Sequence, residues 1–403
     1  LHSFPTRRSS DLLSWRWNPM NNIANWDKCS NCGACINACP FDALYLDKNS
    51  LFYTVKVEPN KCVNCGKCIR VCPTMQNKKT DAPLSAWWGY ALNEQTVKCS
   101  SSGGIFSVVA DYILRENGIV YGAAFSEDCK EVVITSSDHV PLDALRRSKY
   151  VESLVGNSFR SVRKELETGR LVLYCGTPCQ IAGLKSFLNT DYPNLYTCDF
   201  ACGGLSSHLI YQDHLRLLEE RYNSKVKTVN FRPKNYGWSI YSISVHFENG
   251  KKYEVPGVLD PFLCSFLREH VNVRDYCYEC KFAEQHASDL ILADFWKFKE
   301  IVGQTHDNTG ISLVLVNSEK GQYLLNQVKS AMTLSEVDLN KASYNLRSPD
   351  YPVSLMELRE KYLEEFKRSG VLQAAKVIKK PEGFAAAKIR VKCMLRGLIN
   401  RFK

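Results

Sequence analysis

Eight cysteines within the first 72 residues repeat one spacing twice, as Cys29-x2-Cys32-x2-Cys35-x3-Cys39-Pro40 and Cys62-x2-Cys65-x2-Cys68-x3-Cys72-Pro73. In each run three cysteines share a tight loop, and the fourth is carried onto a following helical turn ahead of a proline that rigidifies the exit. Gly33 and Gly66 stand where each loop has to bend sharply. A disulfide framework and zinc knuckles are the competing readings. Zinc sites, however, are built from CxxC-type pairs rather than from three cysteines plus a Cys-Pro.

This spacing is the signature of a module holding two [4Fe-4S] clusters, in which three thiolates grip three corners of one cubane and the fourth cysteine reaches the neighbouring cluster. On that crossover, Cys29, Cys32, Cys35 and Cys72 hold one cluster, and Cys62, Cys65, Cys68 and Cys39 hold the other. Such a pair moves single electrons. Cluster ligands are free thiolates, so the chain's 18 cysteines point to a reducing, anaerobic compartment rather than to a secreted scaffold.

Residues 1–12 resemble the in-frame translation of a sequencing adapter, and residues 1–19 are set aside as adapter-derived or disordered. The authentic start is Met20 or lies upstream. The remainder divides into a two-cluster ferredoxin domain over 20–80, a core in two regions over 86–150 and 151–345, and a helical, basic tail over 346–403. Apolar residues at 45% and charged residues at 23% describe an ordinary globular chain. No run approaches the ~20 apolar residues of a membrane span, and no signal peptide appears, so the expected location is cytoplasmic. The net charge of +10 is concentrated at the end, where residues 376–403 carry nine Lys/Arg against Glu382 alone. The body is therefore nearly neutral, and nothing in it resembles a nucleic-acid module.

The polar, proline-ended string Lys78–Pro83 reads as a linker after the ferredoxin unit. Beyond it, strands are expected at Ala86–Leu92, Ile119–Phe125, Val132–Ser136 and Leu171–Tyr174, with helices at Gly104–Glu116, Pro141–Ser148 and Asn157–Glu167. That alternation argues α/β layering. A helix at His208–Tyr222 precedes strands at Ser239–Glu248 and Lys252–Val255 joined by the Asn249-Gly250 hairpin signal, and a strand at Ile311–Val316 leads into a helix at Lys320–Met332. The fold class expected is thus an α+β ferredoxin-like N-terminal domain, an α/β core and a helical basic tail. Within the core, the string Lys98–Gly104 ahead of a helix aims backbone N–H groups and hydroxyls at a phosphate, although a Ser/Gly turn also serves as a plain helix cap. A second string, Tyr174–Gln180, stands at the end of a buried strand, where α/β proteins place ligands.

Taken together, Trp88-Gly89-Tyr90-Ala91, Ser100–Gly104, Ser148-Lys149-Tyr150-Val151 and Gly176-Thr177-Pro178-Cys179-Gln180 resemble motifs of the coenzyme F420 hydrogenase/dehydrogenase beta-subunit family. So do Asp199-Phe200-Ala201-Cys202, Asn230-Phe231-Arg232, Gly237-Trp238, Cys277-Tyr278-Glu279-Cys280 and Asp294-Phe295-Trp296, in family order over about residues 86–330. The resemblance implies a flavin-dependent iron–sulfur oxidoreductase, and many members carry an N-terminal two-cluster domain. It includes deazaflavin-oxidising subunits of methanogen enzymes and a chlorophyll-cycle reductase, and bacterial relatives of this layout are often encoded near exopolysaccharide genes.

The resemblance also implies a third [4Fe-4S] cluster on Cys179, Cys202, Cys277 and Cys280, with Cys198 as a substitute for Cys202 and structural zinc as the competitor. It implies FAD contacts from Ser101, Ser102, Gly103 and Gly104 at phosphate, Lys149 as a charge, Gly176 and Thr177 along the ring or pyrophosphate, and Asp294 near flavin or substrate. Lys149, Arg232 and Arg274 read equally well as surface charges. Cys99, Cys129, Cys175, Cys264 and Cys393 read as small buried hydrophobes. Two positions depart from the family pattern: Gly203 stands where a histidine is common, and Lys297 where a glycine is. A lost imidazole removes a proton donor, and an added lysine changes which anionic group the site accepts.

A hydride delivers two electrons together whereas a cubane takes one, so a flavin is the natural converter. The expected wire runs from substrate or partner through FAD and the core cluster to the two ferredoxin clusters. The catalytic residues are not assigned. The alternatives are a non-catalytic electron-transfer subunit beside a redox partner protein or soluble carrier, and a non-redox scaffold in polysaccharide assembly. At the C-terminus, Val391, Leu395, Leu398 and Phe402 recur at helical spacing, widened by Ile389, Met394 and Ile399 and flanked by Lys388, Arg390, Lys392, Arg396, Arg401 and Lys403. That pattern suits either an anionic membrane surface on the inner face or a helix docked on its own domain.

Overall fold

The structure, a computed structural model, describes residues 23, 26–76, 79–346, 351–378 and 380–401. The expectations placed on residues 1–19, and on Lys78, Phe402 and Lys403, lie outside the described residues. Both cysteine runs form the same local structure, a loop closed by a glycine in the left-handed region (Gly33 at φ 80°, Gly66 at φ 69°) that opens a short helix, Ala34–Ala38 or Lys67–Arg70. Between them an antiparallel hairpin pairs β1 (Leu44–Asp47) with β2 (Thr54–Val57). Short β and α pieces around a cysteine-rich interior are what the spacing predicts.

The core is one mixed sheet of nine strands in the order β14-β3-β13-β12-β8-β7-β4-β5-β6. Its members are β3 (Ser85–Ala91), β4 (Ile119–Phe125), β5 (Val132–Ser136), β6 (Ser153–Leu154), β7 (Val172–Cys175) and β8 (Leu195–Phe200), then β12 (Leu290–Asp294), β13 (Ser312–Val316) and β14 (Met332–Val337). The run β12-β8-β7-β4 is parallel, and the pairs β14–β3, β3–β13, β13–β12 and β4–β5 are antiparallel. The parallel centre reads as continuous apolar stretches because helices cover both faces. A separate antiparallel sheet, β11-β10-β9, is built from β9 (Val226–Asn230), β10 (Ser242–Phe247) and β11 (Lys252–Pro256). Helix His208–Tyr222 packs on it through the fully buried Tyr211 and Leu215.

Two expected helices differ from those observed. The helix expected over Pro141–Ser148 is a single turn, Leu142–Leu145, because Arg146 is extended and Arg147 adopts φ 69°. The one expected over Lys320–Met332 stops at Val328, and Met332 opens the edge strand β14 instead. Asn249-Gly250 does turn the β10–β11 hairpin, with Gly250 at φ 81°. The C-terminal region is helical, as Val353–Ser369, Val371–Val377 and Gly383–Arg401. Its first two helices belong to the body, since Tyr362, Val371 and Ala374 are fully buried in the same cluster as Ile243 and Phe247.

The ferredoxin unit is seated on the core at two close approaches. A side chain at Gly183, on helix Pro178–Leu188, would come within 3.0 Å of the Cys32 sulfur, and one at Gly33 would come within 2.6 Å of Val155 Cβ. Gly33→Ala therefore combines a left-handed backbone penalty with a steric clash, together about 2–4 kcal/mol. Anaerobic thermal melting should show a lowered midpoint for Gly33→Ala. In Gly33→Ala/Val155→Gly the loss should be smaller than the sum of the two single losses, because only the clash is relieved.

Candidate functional site

Two small cavities in the ferredoxin unit sort the eight cysteines by the expected crossover. One is lined by Cys29, Cys32, Cys35 and Cys72 under Trp26 and Val55, the other by Cys39, Cys62, Cys65 and Cys68 under Phe41 and Leu44. The Cys32 and Cys35 thiols are held well above their usual range, first by burial and then by neighbouring cysteines, among them Cys72 for both. Such a set ionises only against a cation. The donor chemistry and the cavities fit one cubane apiece.

Cys179, Cys202 and the pair Cys277/Cys280, well separated along the chain, form a third set. Burial pushes the Cys202 thiol up to about 12, with Cys280 adding to the effect. Cys277 is raised by burial and then by Cys202, Cys280 and Cys179. Cys179 approaches Thr177 Oγ1 at 3.1 Å and the Ser30 carbonyl at 3.5 Å, so it touches the ferredoxin loop. Among the described residues, no group of three or more His, Cys, Asp or Glu converges tightly enough for a single metal ion. Cys198 stands elsewhere, buried against Cys175, and does not replace Cys202.

The three sets are contiguous. Cys179 raises the Cys32 thiol, and Cys68 raises that of Cys35. At the opposite end, Cys202 lines a cavity of about 300 Å³ at the carboxyl ends of β7, β8 and β12, the place where parallel α/β sheets bind ligands.

Seven of the eight residues expected at a flavin line this cavity: Ser101, Ser102, Gly104, Lys149, Gly176, Thr177 and Asp294. Gly103 does not. Its N–H donates to Ser312 Oγ at 3.0 Å, and a side chain there would meet the Gly89 carbonyl at 2.5 Å, so it is a packing glycine. The serine hydroxyls are already engaged. Ser101 Oγ accepts from the Ser148 N–H at 2.8 Å, and Ser102 Oγ donates to the Ile311 carbonyl at 2.8 Å. What the turn offers the cavity is the start of helix Ile105–Arg115, opened by Gly104 at φ 91°, whose first amides have no partner within the helix.

Lys149 directs its ammonium at the Ala144 and Arg146 carbonyls, and burial, aided by Arg147, lowers it to about 7. Lys234, which holds the Val97 and Ser102 carbonyls behind the turn, is likewise lowered to about 7 by burial and by Arg232. An anion in the cavity would favour the charged form of both. Thr177 closes a capping box with Gln180, whose amide reaches Ser153 Oγ at 2.9 Å, so the β7 exit is rigid.

Arg232 and Arg274 are buried rather than surface charges, 6% and 7% exposed. Arg232 pairs with Asp294 at 3.0 Å and also reaches the Tyr150 hydroxyl and the Ser101 carbonyl. Trp238 donates its indole N–H to Asp294 at 2.7 Å and stacks on Trp296 with centroids 4.6 Å apart. Five of the sequence strings thus meet in one network on the cavity wall. Lys297 lies outside it, with its ammonium 4.7 Å over the Tyr344 ring, so it does not select an anion there. Gly203 lines the cavity and faces open space, where an imidazole would fit. Sequence reasoning assigned no role to Asp199 and did not single out His286. Asp199 lines the cavity, is raised by burial, and pairs with buried His286 at 2.9 Å. Asp199 stood within a recognised string, whereas His286 had no local signal at all.

Residues 169–342 match the family model that describes the C terminus of the coenzyme F420 hydrogenase/dehydrogenase beta subunit. This segment is the C-terminal domain of that beta-subunit family. Residues 28–75 and 54–107 each match a 4Fe-4S dicluster domain, the two matches overlapping on the second cysteine run. Together these matches support an iron–sulfur, electron-transferring chain related to that beta subunit. Among solved structures, a chain of the F420-reducing [NiFe] hydrogenase complex from Methanosarcina barkeri, studied as a xenon derivative, is similar at 15% identity with a TM-score of 0.44. That match covers 71% of this chain and 94% of the other. A comparison with curated proteins finds no match. The family domain supplies Cys179, Cys202, Cys277, Cys280, Arg232 and Asp294, and the β7, β8 and β12 ends that bring them together.

The network predicts graded costs. Asp294→Ala leaves Arg232 in the wall without its counter-ion and should destabilise by about 3 kcal/mol. Asp294→Asn keeps an acceptor for the Trp238 indole and should cost less. Thermal melts of the two variants give the order.

Proposed function

We propose that this chain is a flavin-dependent iron–sulfur oxidoreductase that joins a two-electron partner at the cavity to one-electron traffic through three cubanes. The ligands are Cys29, Cys32, Cys35 and Cys72; Cys39, Cys62, Cys65 and Cys68; and Cys179, Cys202, Cys277 and Cys280. The observation that carries this reading is one of adjacency. Cys202 belongs both to the cavity lining and to the third thiol set, and that set touches the first through Cys179.

Bound in the cavity, FAD supplies the exchange between hydride and single electrons, and bound cubanes supply one-electron transfer. The rest falls to the chain's own residues. Helix Ile105–Arg115 presents its N-terminal amides to a phosphate, with Gly104 opening the helix from a left-handed turn. Gly176 and Thr177 form the rigid edge against a ring or pyrophosphate, and Asp294, fixed by Arg232 and Trp238, sets the wall beside it. The apolar Ile105, Val132, Ile134 and Leu145 keep water away from part of the lining.

A second reading, the electron-transfer subunit beside a partner protein, draws support from the far end of the wire. Cys65 is exposed there, and Phe41 at 48% and Val63 at 58% exposure line the same cluster cavity. An apolar rim at an exposed ligand is suited to a docking redox protein. The two readings share the same wire and differ in whether substrate enters the cavity of this chain.

Anaerobically prepared protein should contain about twelve Fe, and Cys277→Ser should lower that toward about eight. Unchanged iron in the variant would exclude the third set as a cluster site. Acid extraction of wild-type protein made with ample flavin should release FAD. Gly104→Asp, whose side chain would press on Thr96 and Ala91 and add a negative charge beside the helix N-terminus, should lose the flavin and retain its iron, whereas Gly104→Ala, strained alike but uncharged, should retain more. Wild-type protein without flavin would overturn the flavin reading and leave the iron reading standing.

A further inference from the structure

The last helix, Gly383–Arg401, is held to the body by one side and carries its larger apolar residues on the other. Cys393 is 6% exposed, and Ala386 and Ile389 pack on the core of the three-stranded sheet. A side chain at Gly397 would approach the Asn235 carbonyl at 2.8 Å, so the helix lies flush against the Lys234–Tyr236 turn. Residues 386, 389, 393 and 397 are spaced by three, four and four, which makes one continuous stripe. This satisfies the docking that an amphipathic helix needs through one narrow stripe of Ala386, Ile389, Cys393 and Gly397.

Phe384, Val391 and Leu395 are spaced by seven and four and share the face turned away from the body, at 87%, 51% and 56% exposure. Met394, at 54%, widens that face. Lys388 and Lys392 flank it, and Arg390 and Arg396 are exposed beside it. A helix docked through one narrow stripe, with Phe384, Val391, Met394 and Leu395 left in water, keeps much of its apolar surface exposed unless something covers the outer face.

We propose that this helix is a peripheral anchor that lays the protein on an anionic lipid surface. Two observations choose that occupant over a second copy of the chain. Residues 376–403 carry nine Lys/Arg against one acid, so a face-to-face pair of these helices would oppose like charges across its own two-fold axis. Apolar residues flanked by lysines match acyl chains beneath anionic headgroups, with no need for shape complementarity. No helix among the described residues is long and apolar enough to cross a membrane, so the anchor lies on the surface. Leu398, Ile399 and Phe402, whose side chains lie outside the described residues, continue the same sequence pattern.

The test is flotation of the intact, anaerobically purified protein with vesicles of phosphatidylcholine alone or of phosphatidylcholine with phosphatidylglycerol. Wild-type protein should float with the anionic vesicles at low salt, float less at high salt, and stay down with the neutral ones. Lys388→Gln/Lys392→Gln should weaken partitioning roughly thirty-fold. Val391→Ser/Leu395→Ser, at exposed positions that the fold does not use, should stay down while keeping the wild-type iron content and circular dichroism. The proposal is overturned if the wild type stays down with anionic vesicles, or if the serine variant floats as well as it does. A concentration-dependent dimer abolished by the same serine pair, in protein that does not float, would assign the face to a second copy.

Discussion

A buried cluster of ions joins the ferredoxin unit to the core, and the proposed wire depends on that joint. Arg274 donates to the Cys29 carbonyl at 2.8 Å and the Tyr53 carbonyl at 2.7 Å, and pairs with Glu152 at 3.2 Å. The other oxygen of Glu152 accepts from the Tyr53 N–H at 3.0 Å and faces His208 Nδ1 at 2.8 Å, while His208 Nε2 faces the Lys48 carbonyl at 2.9 Å. Both ring nitrogens of His208 therefore have oxygen partners. Glu152 is completely buried, so losing Arg274 would leave its carboxylate without its cationic partner at a cost of about 3–5 kcal/mol. A pair like this adds little net stability over an apolar contact. It does fix registry, because each ion has one set of partners, and those partners include backbone groups of the Cys29 loop and of the segment joining β1 and β2.

The thiol sets press in the opposite direction. Each gathers cysteines in a dry interior where the protonated form is favoured and every ionised neighbour opposes the next. Metal-free, such a set contributes little beyond small apolar side chains. Iron inverts the local electrostatics, and its binding energy becomes folding energy. The ion cluster and the thiol sets are therefore complementary: one positions the loops in any state, and the others draw them tight when loaded.

Legibility in the sequence followed the range of the signal. The grouping of the eight ferredoxin cysteines around two cavities follows the repeated local spacing, and the strands Ile119–Phe125 and Val132–Ser136 and the helix His208–Tyr222 match their expected bounds because their signals are local too. Helix Pro178–Leu188 was legible in retrospect from Thr177-Pro178 and Gln180, a capping box with proline at its first turn. Strand β14 was not, since Met332–Val337 is a half-exposed edge with polar Thr333, Ser335 and Glu336 that resembles the tail of the preceding helix. The burial of Arg232 and Arg274 was illegible too, because a charge's partner lies anywhere in the fold: Asp294 is 62 residues from one and Glu152 is 122 residues from the other.

The meeting of cavity and third thiol set is a consequence of topology. In a parallel run every strand delivers the chain to the same edge of the sheet, so the segments leaving β7, β8 and β12 share one end. The first of them yields Gly176, Thr177 and then Cys179, the second Asp199 and then Cys202, and the third Asp294. Residues that face the cavity come first, and the cysteines follow within a few residues, Cys179 set back toward the ferredoxin loop and Cys202 still on the cavity lining. Each exit thus writes a cavity contact and, in two cases, a thiol in the same short string. That is why Gly176–Gln180 and Asp199–Cys202 read as single motifs although they serve two neighbouring sites. Cys277 and Cys280 complete the set from a 3-10 turn that begins right after Arg274, so the residue anchoring the ferredoxin loop also fixes where those two sulfurs stand. Antiparallel strands would have sent alternate exits to opposite edges and separated what this sheet brings together.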